Sequence, residues 1–285
     1  MRIRGRGYKA RLLRLLSRIP RLAIPKRRGW LDAEERILVP PRRLWLGPND
    51  SIGHYFRGVW EYLAYLTLVA DLRREEVVLE LGCGHGRTGR GLLSYLRWPG
   101  RYVGLDVDRR RIEFARSRIQ AKWPGFEFVW ADVRDTHYNP QGSVEAASYV
   151  FPFTDAAFDL VYAASLFTHL LPEDTLNYLR ESRRVLKHPG RCLFSVFLLD
   201  HYRGPGTTSS SLYEFPHAWL GQAGVAVRDP ARPGHLVGYS LARLTEMADR
   251  AGLRVERVIP GLWSENPGWA VNEQDLVLLT TTARS

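Results

Sequence analysis

Val77-Val78-Leu79-Glu80-Leu81-Gly82-Cys83-Gly84-His85-Gly86-Arg87-Thr88-Gly89 joins a continuous apolar run, interrupted near its end by an acid, to a glycine-rich turn. Such a run reads as a strand buried on both faces, and the residues after the turn can open a helix. The segment therefore predicts the first βα unit of a parallel sheet. Gly82, Gly84 and Gly86 permit positive φ and carry no Cβ, so the backbone can approach a ligand where helix N–H groups are unpaired. Gly84-x-Gly86-x-x-Gly89 also satisfies the dinucleotide fingerprint, and the turn alone leaves more than one cofactor class open.

Three acids narrow the choice. Glu80 lies two residues before the first glycine, where a nicotinamide-type loop needs no carboxylate but a ligand with an ammonium group does. Asp106 ends the next apolar run, Tyr102-Val103-Gly104-Leu105-Asp106, at about the spacing from which a carboxylate accepts from a ribose. Asp132 ends Phe126-Glu127-Phe128-Val129-Trp130-Ala131-Asp132. Here the chain resembles the class I S-adenosylmethionine-dependent methyltransferases over roughly residues 50 to 282. The resemblance implies S-adenosylmethionine as cofactor, with Glu80 on the amino group, Gly82, Gly84 and Gly86 against the amino-acid part, Asp106 on the ribose and Asp132 beside adenine. Their neighbours Cys83, Val107 and Val133, and Ser165 after the fourth strand, complete the implied cofactor set. Phe151 to Val161 and Arg184-Val185-Leu186-Lys187-His188-Pro189-Gly190 resemble the family's approaches to its fourth and fifth strands.

Through the rest of the chain, strand and helix alternate. Strands are expected at 77–81, 102–106, 126–131, 158–163, 191–197, 254–258 and 274–280, and helices near 51–72, 87–97, 109–122, 173–187 and 240–251. This predicts an α/β fold with a doubly wound, mostly parallel seven-stranded sheet of Rossmann-like methyltransferase type. The resemblance makes its last strand antiparallel. Residues 1–50 read as a basic amphipathic arm and Pro-rich linker and 51–285 as the methyltransferase domain, with insertions at about 134–150 and 199–238.

The formal charge of +11 is local: residues 1–30 hold eleven Lys and Arg and no acid, and the remaining residues carry 30 of each sign. A balanced globular part argues against a basic nucleic-acid groove. In the arm, Leu12, Leu15, Leu16 and Ile19 oppose Arg11, Arg14, Arg18 and Arg21 at helical spacing. Attachment of residues 1–28 to an anionic membrane, a solvated arm and a transit peptide all remain open readings. The two cysteines, Cys83 and Cys192, lack a metal-spaced partner and fit a reducing, cytoplasmic setting, and no apolar run is long enough to span a bilayer.

Chemistry is expected on the rim that carries the glycine turn. After the fourth strand, Ala164-Ser165-Leu166-Phe167-Thr168-His169 offers His169 as a general base, and Asp200 and His201 after the fifth strand are the second choice. Segment 199–238 is a candidate lid, with His217 and Trp219 lining an acceptor pocket, His137 and Tyr138 on the other insertion, and Trp263 to Trp269 as a third wall. The absence of Asn/Asp-Pro-Pro-aromatic after strand four speaks against nucleobase amino-methylation, and the absence of a carboxylate there against a Mg²⁺-dependent enzyme. The expectation is metal-independent methyl transfer, to an oxygen of a small molecule or a glycan- or lipid-linked intermediate. A cofactor-binding regulator without turnover is the alternative. A nicotinamide oxidoreductase stands lower, because no Tyr precedes Lys9, Lys26, Lys122 or Lys187 by four residues.

Overall fold

Residues 38–41, 44–45, 51–208, 213–264 and 272–282 are described by a computed structural model. The chain divides into two units, Met1–Val39 and Pro40–Ser285, and the second contains the sheet and its helices. The amphipathic arm lies outside the described residues.

Helix α1 (Ile52–Leu68) begins at Ser51, whose hydroxyl accepts from His54 N–H at 3.1 Å, and it buries Tyr55, Val59, Tyr62, Tyr65 and Leu66. Strands β1 (Val77–Leu81), β2 (Arg101–Asp106), β3 (Phe126–Trp130), β4 (Phe158–Ala163) and β5 (Leu186–Val196) run parallel. Beyond them, β10 (Asp275–Thr281) is antiparallel both to β5 and to β9 (Leu253–Ile259). The sheet order is β3-β2-β1-β4-β5-β10-β9, which is the expected doubly wound architecture with its antiparallel last strand. Leu79, Leu81, Val103, Leu105, Val161, Phe194 and Val277 form its core, and the apolar runs read as strands for that reason.

Several boundaries depart from expectation. The helix after the glycine turn is only α2 (Gly89–Leu92). Two glycines in four residues weaken it, and Gly91 is held because a Cβ there would stand 2.9 Å from the Val59 carbonyl of α1. Helix α3 (Arg109–Ala115), capped by Asp108, ends in a π-helical turn over Arg116–Gln120. The β3–β4 connection carries one short 3₁₀ turn, Ala146–Ser148. Helices α4 (Pro172–Val185) and α5 (Leu241–Arg250) pack on each other.

Among its described residues, the insertion after β5 carries secondary structure of its own. It builds a small antiparallel sheet, β6 (His217–Ala218), β7 (Val225–Val227) and β8 (Val237–Tyr239), and Val225, Val227, Val237 and Tyr239 join the main core. Val237 N–H donates to the Thr168 carbonyl at 2.8 Å and Tyr239 N–H to that of Phe197 at 2.9 Å, which fastens the insertion to the exits of β4 and β5.

Candidate functional site

The carboxyl ends of β1, β2, β3 and β4 bring the sequence-predicted residues to one rim. Gly82, Gly84 and Gly86 all have positive φ, at 71°, 54° and 81°. Their reasons differ. A Cβ on Gly86 would lie 2.9 Å from the Phe128 ring, whereas one on Gly84 would meet nothing nearer than Arg111 Cδ at 3.9 Å. Gly86 is thus a packing glycine, and Gly84 leaves its face of the turn open.

Asp106 ties the turn to β2. One carboxylate oxygen accepts from Gly84 N–H at 2.6 Å and the other from Asp108 N–H at 2.7 Å. Burial pushes its carboxyl up, and those two N–H donors oppose the shift. Val107 follows, its carbonyl accepting from Trp130 Nε1 at 2.9 Å. Asp132 accepts from Ser143 Oγ at 2.6 Å and from Asn139 Nδ2 at 3.4 Å, and the Ser143 bond holds its carboxyl below the ordinary range. Insertion 134–150 therefore wraps Asp132, with Val133 buried beneath it. Cys83 is buried and its thiol is pushed up by burial, so it is no thiolate nucleophile.

Glu80 is only 1% exposed. One oxygen accepts from the Thr88 hydroxyl, and the other accepts from Tyr102 at 2.5 Å and from Tyr162 at 2.7 Å. Burial pushes its carboxyl up to about 7, and the three hydroxyls pull the other way. Sequence reasoning missed His85. It is 3% exposed beside Tyr55 and Phe114, and its Nδ1 has no hydrogen-bond partner among the described residues. Burial, with Arg111 and Arg87 adding to it, lowers its pKa to about 3 and keeps the ring neutral.

At the exit of β4, Ser165 adopts φ 63°, a strained value for a residue with a Cβ. Its N–H donates to Ser195 Oγ at 2.7 Å, and its hydroxyl accepts from Gln274 Nε2 at 2.7 Å. Gln274 is a second residue that the sequence did not single out. The next residue, Leu166, comes within 3.4 Å of where a Cβ on Gly82 would stand, so the β4 exit abuts the glycine turn. His169 Nδ1 lies 3.1 Å from the Gly234 carbonyl and 3.0 Å from that of His235. Two acceptors at one nitrogen require that nitrogen to carry the proton, which leaves Nε2 as a lone pair. His169 is an exposed residue whose ring is partly desolvated by its neighbours, which lowers its pKa and favours the neutral form.

Asp200 and His201 form a separate 3₁₀ turn, Leu199–His201, and the Asp200 carboxylate accepts from Leu241 N–H at 2.7 Å at the start of α5. One expected wall is corrected. Trp263 is fully buried against Phe197, Phe215 and Tyr202, with Nε1 donating to Asp275 at 2.7 Å, so it cannot face an acceptor. Trp269 lies outside the described residues. Among the described residues no group of three or more His, Cys, Asp or Glu stands together as a metal site, and no helix is long and apolar enough to cross a membrane.

Residues 79–194 match the family model described as a methyltransferase domain. An uncharacterized methyltransferase of Bacillus subtilis is 32% identical over 145 residues, covering 50% of this chain and 47% of that one. An uncharacterized 37.1 kDa protein of a Streptomyces fradiae transposon is 27% identical over 201 residues, covering 70% and 49%. The chain spans about half the length of these curated relatives. The crystal structure of a Burkholderia thailandensis 1,6-didemethyltoxoflavin-N1-methyltransferase, with bound 1,6-didemethyltoxoflavin and S-adenosylhomocysteine, shares the fold. Its TM-score is 0.51 at 17% identity, over 79% of each chain.

Proposed function

Because this chain carries a class I S-adenosylmethionine-dependent methyltransferase domain, we propose that it binds S-adenosylmethionine and methylates an oxygen of a small molecule or of a glycan- or lipid-linked intermediate, without a metal. The observation that carries the cofactor half is the joining of Asp106 to the glycine turn through Gly84 N–H at 2.6 Å. Each Asp106 oxygen accepts one backbone N–H and keeps a second lone pair, which suits the two hydroxyls of a ribose. Space above Gly84 admits the amino-acid part, and Asp132 at the next strand end suits the adenine amino group.

When bound, S-adenosylmethionine supplies a methyl group on a positively charged sulfur, open to displacement by an oxygen. The residues of the chain then have two tasks, alignment and removal of the acceptor's proton. Ser165 stays with the cofactor set, Gln274 offers a hydrogen bond that orients an acceptor, and Nε2 of His169 takes the proton. Oxygen is favoured as the acceptor atom because a neutral histidine with a free lone pair matches a hydroxyl that must lose a proton. Calorimetry with S-adenosylhomocysteine tests the first half, and a methyl-donor turnover screen over sugars, lipids and phenols tests the second. No binding by the wild type defeats the whole reading. Binding without turnover on any acceptor favours a regulator.

Contact with an anionic membrane is supported by the eleven cations and absent acids of residues 1–30. Full-length protein should then sediment with phosphatidylglycerol vesicles at low salt, and protein lacking residues 1–28 should not. Equal sedimentation of the two would defeat this reading.

A further inference from the structure

The resemblance assigns Glu80 to the cofactor's ammonium group, and the geometry of this chain points elsewhere. Glu80 sits near the end of β1 with 1% exposure, and the hydroxyls it serves belong to buried residues of three other elements: Tyr102 of β2, Tyr162 of β4 and Thr88 at the head of α2. A carboxylate has about four acceptor sites, and three of Glu80's are filled by the protein's own donors. The register explains why. Glu80 pairs with Gly104 on one side and Tyr162 on the other, so Tyr162 stands beside it on the same face. Tyr102, two residues before Gly104, reaches over that glycine, where a Cβ would lie 2.9 Å from its hydroxyl.

We propose that Glu80 is a positioning residue, which fixes the glycine turn from below by joining Thr88 to Tyr102 and Tyr162, and that it does not contact the cofactor. Residues 81–87 lie between Glu80 and Thr88, so the Glu80–Thr88 bond closes the turn at its two ends. Glycines at 82, 84 and 86 give that segment a large backbone entropy in the absence of such a closure. The inference rests on the proposed binding of S-adenosylmethionine, and its test separates the two.

Affinity for S-adenosylhomocysteine and for its analogue lacking the α-amino group is measured by calorimetry on wild type, Glu80→Gln, Thr88→Val and Tyr162→Phe. A positioning role predicts that Glu80→Gln weakens both ligands by the same factor, about tenfold, as loss of a charge-assisted hydrogen bond implies. Thr88→Val and Tyr162→Phe, which keep side-chain volume, should weaken both ligands in the same direction. The proposal is overturned if Glu80→Gln weakens only the amino-bearing ligand, because that dependence identifies a direct ammonium contact. Hydrogen exchange on ligand-free protein supplies the second readout. The amides of Gly82 to Gly86 should exchange at least severalfold faster in all three variants, while those of β10 keep their wild-type rates. Unchanged exchange of the turn in the variants overturns the proposal as well. Wild type that binds neither ligand would sink the cofactor reading, and the exchange data would still decide the role of Glu80.

Discussion

The Tyr102 hydroxyl donates to the Glu80 carboxylate at 2.5 Å, and this contact gives the last glycine of the turn its reason. A Cβ on Gly89 would lie 2.6 Å from that hydroxyl. Gly84-x-Gly86-x-x-Gly89 thus matches the dinucleotide fingerprint through its spacing, while its third glycine makes room for a tyrosine. Although alanine favours a helix more than glycine does, Gly89→Ala should destabilise the protein by about 1–3 kcal/mol through overpacking. Denaturant unfolding reads the change, and a variant as stable as wild type would mean that Tyr102 moves aside freely.

How far the sequence discloses this arrangement depends on the kind of signal. Strand ends are legible because buried parallel strands are continuous apolar runs, and Glu80, Asp106 and Asp132 punctuate three of them. The Tyr102–Glu80–Tyr162 cluster is not legible, because it exists only once the register of β1 against β2 and β4 is known. The small sheet at 217–239 escapes for another reason: strands of two or three residues carry no measurable period. Trp263 misleads as a wall because an aromatic in a loop signals a pocket and a core equally well, and its partner Asp275 is twelve residues away.

Two buried groups should give stability opposite pH dependences. Glu80 titrates near 7 in the folded chain against an ordinary value of 4.5, so the folded state holds the proton that the unfolded state releases. Its contribution therefore falls as pH rises from 4.5 to about 7. His85 titrates near 3 against an ordinary 6.5, so the unfolded state gains the proton first and stability falls as pH drops from 6.5 towards 3. Denaturant titrations of wild type, Glu80→Gln and His85→Phe across these windows measure both. Glu80→Gln should flatten the upper window and His85→Phe the lower, and curves parallel to wild type would contradict the assigned shifts.

Asp106 holds Gly84 as well as the proposed ribose, so its removal should act twice. Asp106→Ala should lower affinity for S-adenosylhomocysteine by tenfold or more, in keeping with about 1.5–3 kcal/mol for hydrogen bonds to a charged group. It should also speed amide exchange at Gly84, whose N–H loses its partner at 2.6 Å. Asp106→Asn keeps an acceptor oxygen and should lie between the two. Equal affinity in wild type and Asp106→Ala would remove Asp106 from the cofactor site.

His169 and Asp200 make different hydrogen bonds. The Nδ1–H of His169 is held by the carbonyls of Gly234 and His235, which leaves a lone pair on Nε2, the proposed proton acceptor, while Asp200 caps the first N–H of α5 at 2.7 Å. With an acceptor substrate in hand, His169→Ala should lower kcat by about 10²–10⁴-fold, the range of a general base, and leave the affinity for S-adenosylhomocysteine unchanged. Asp200→Ala should lower stability by about 1 kcal/mol through the lost cap and leave kcat close to wild type. The two variants must therefore separate in a plot of turnover against stability. If Asp200→Ala loses turnover while His169→Ala keeps it, the base lies after β5, and the carbonyl clamp on His169 serves only to fasten the Gly234–His235 turn to the β4 exit.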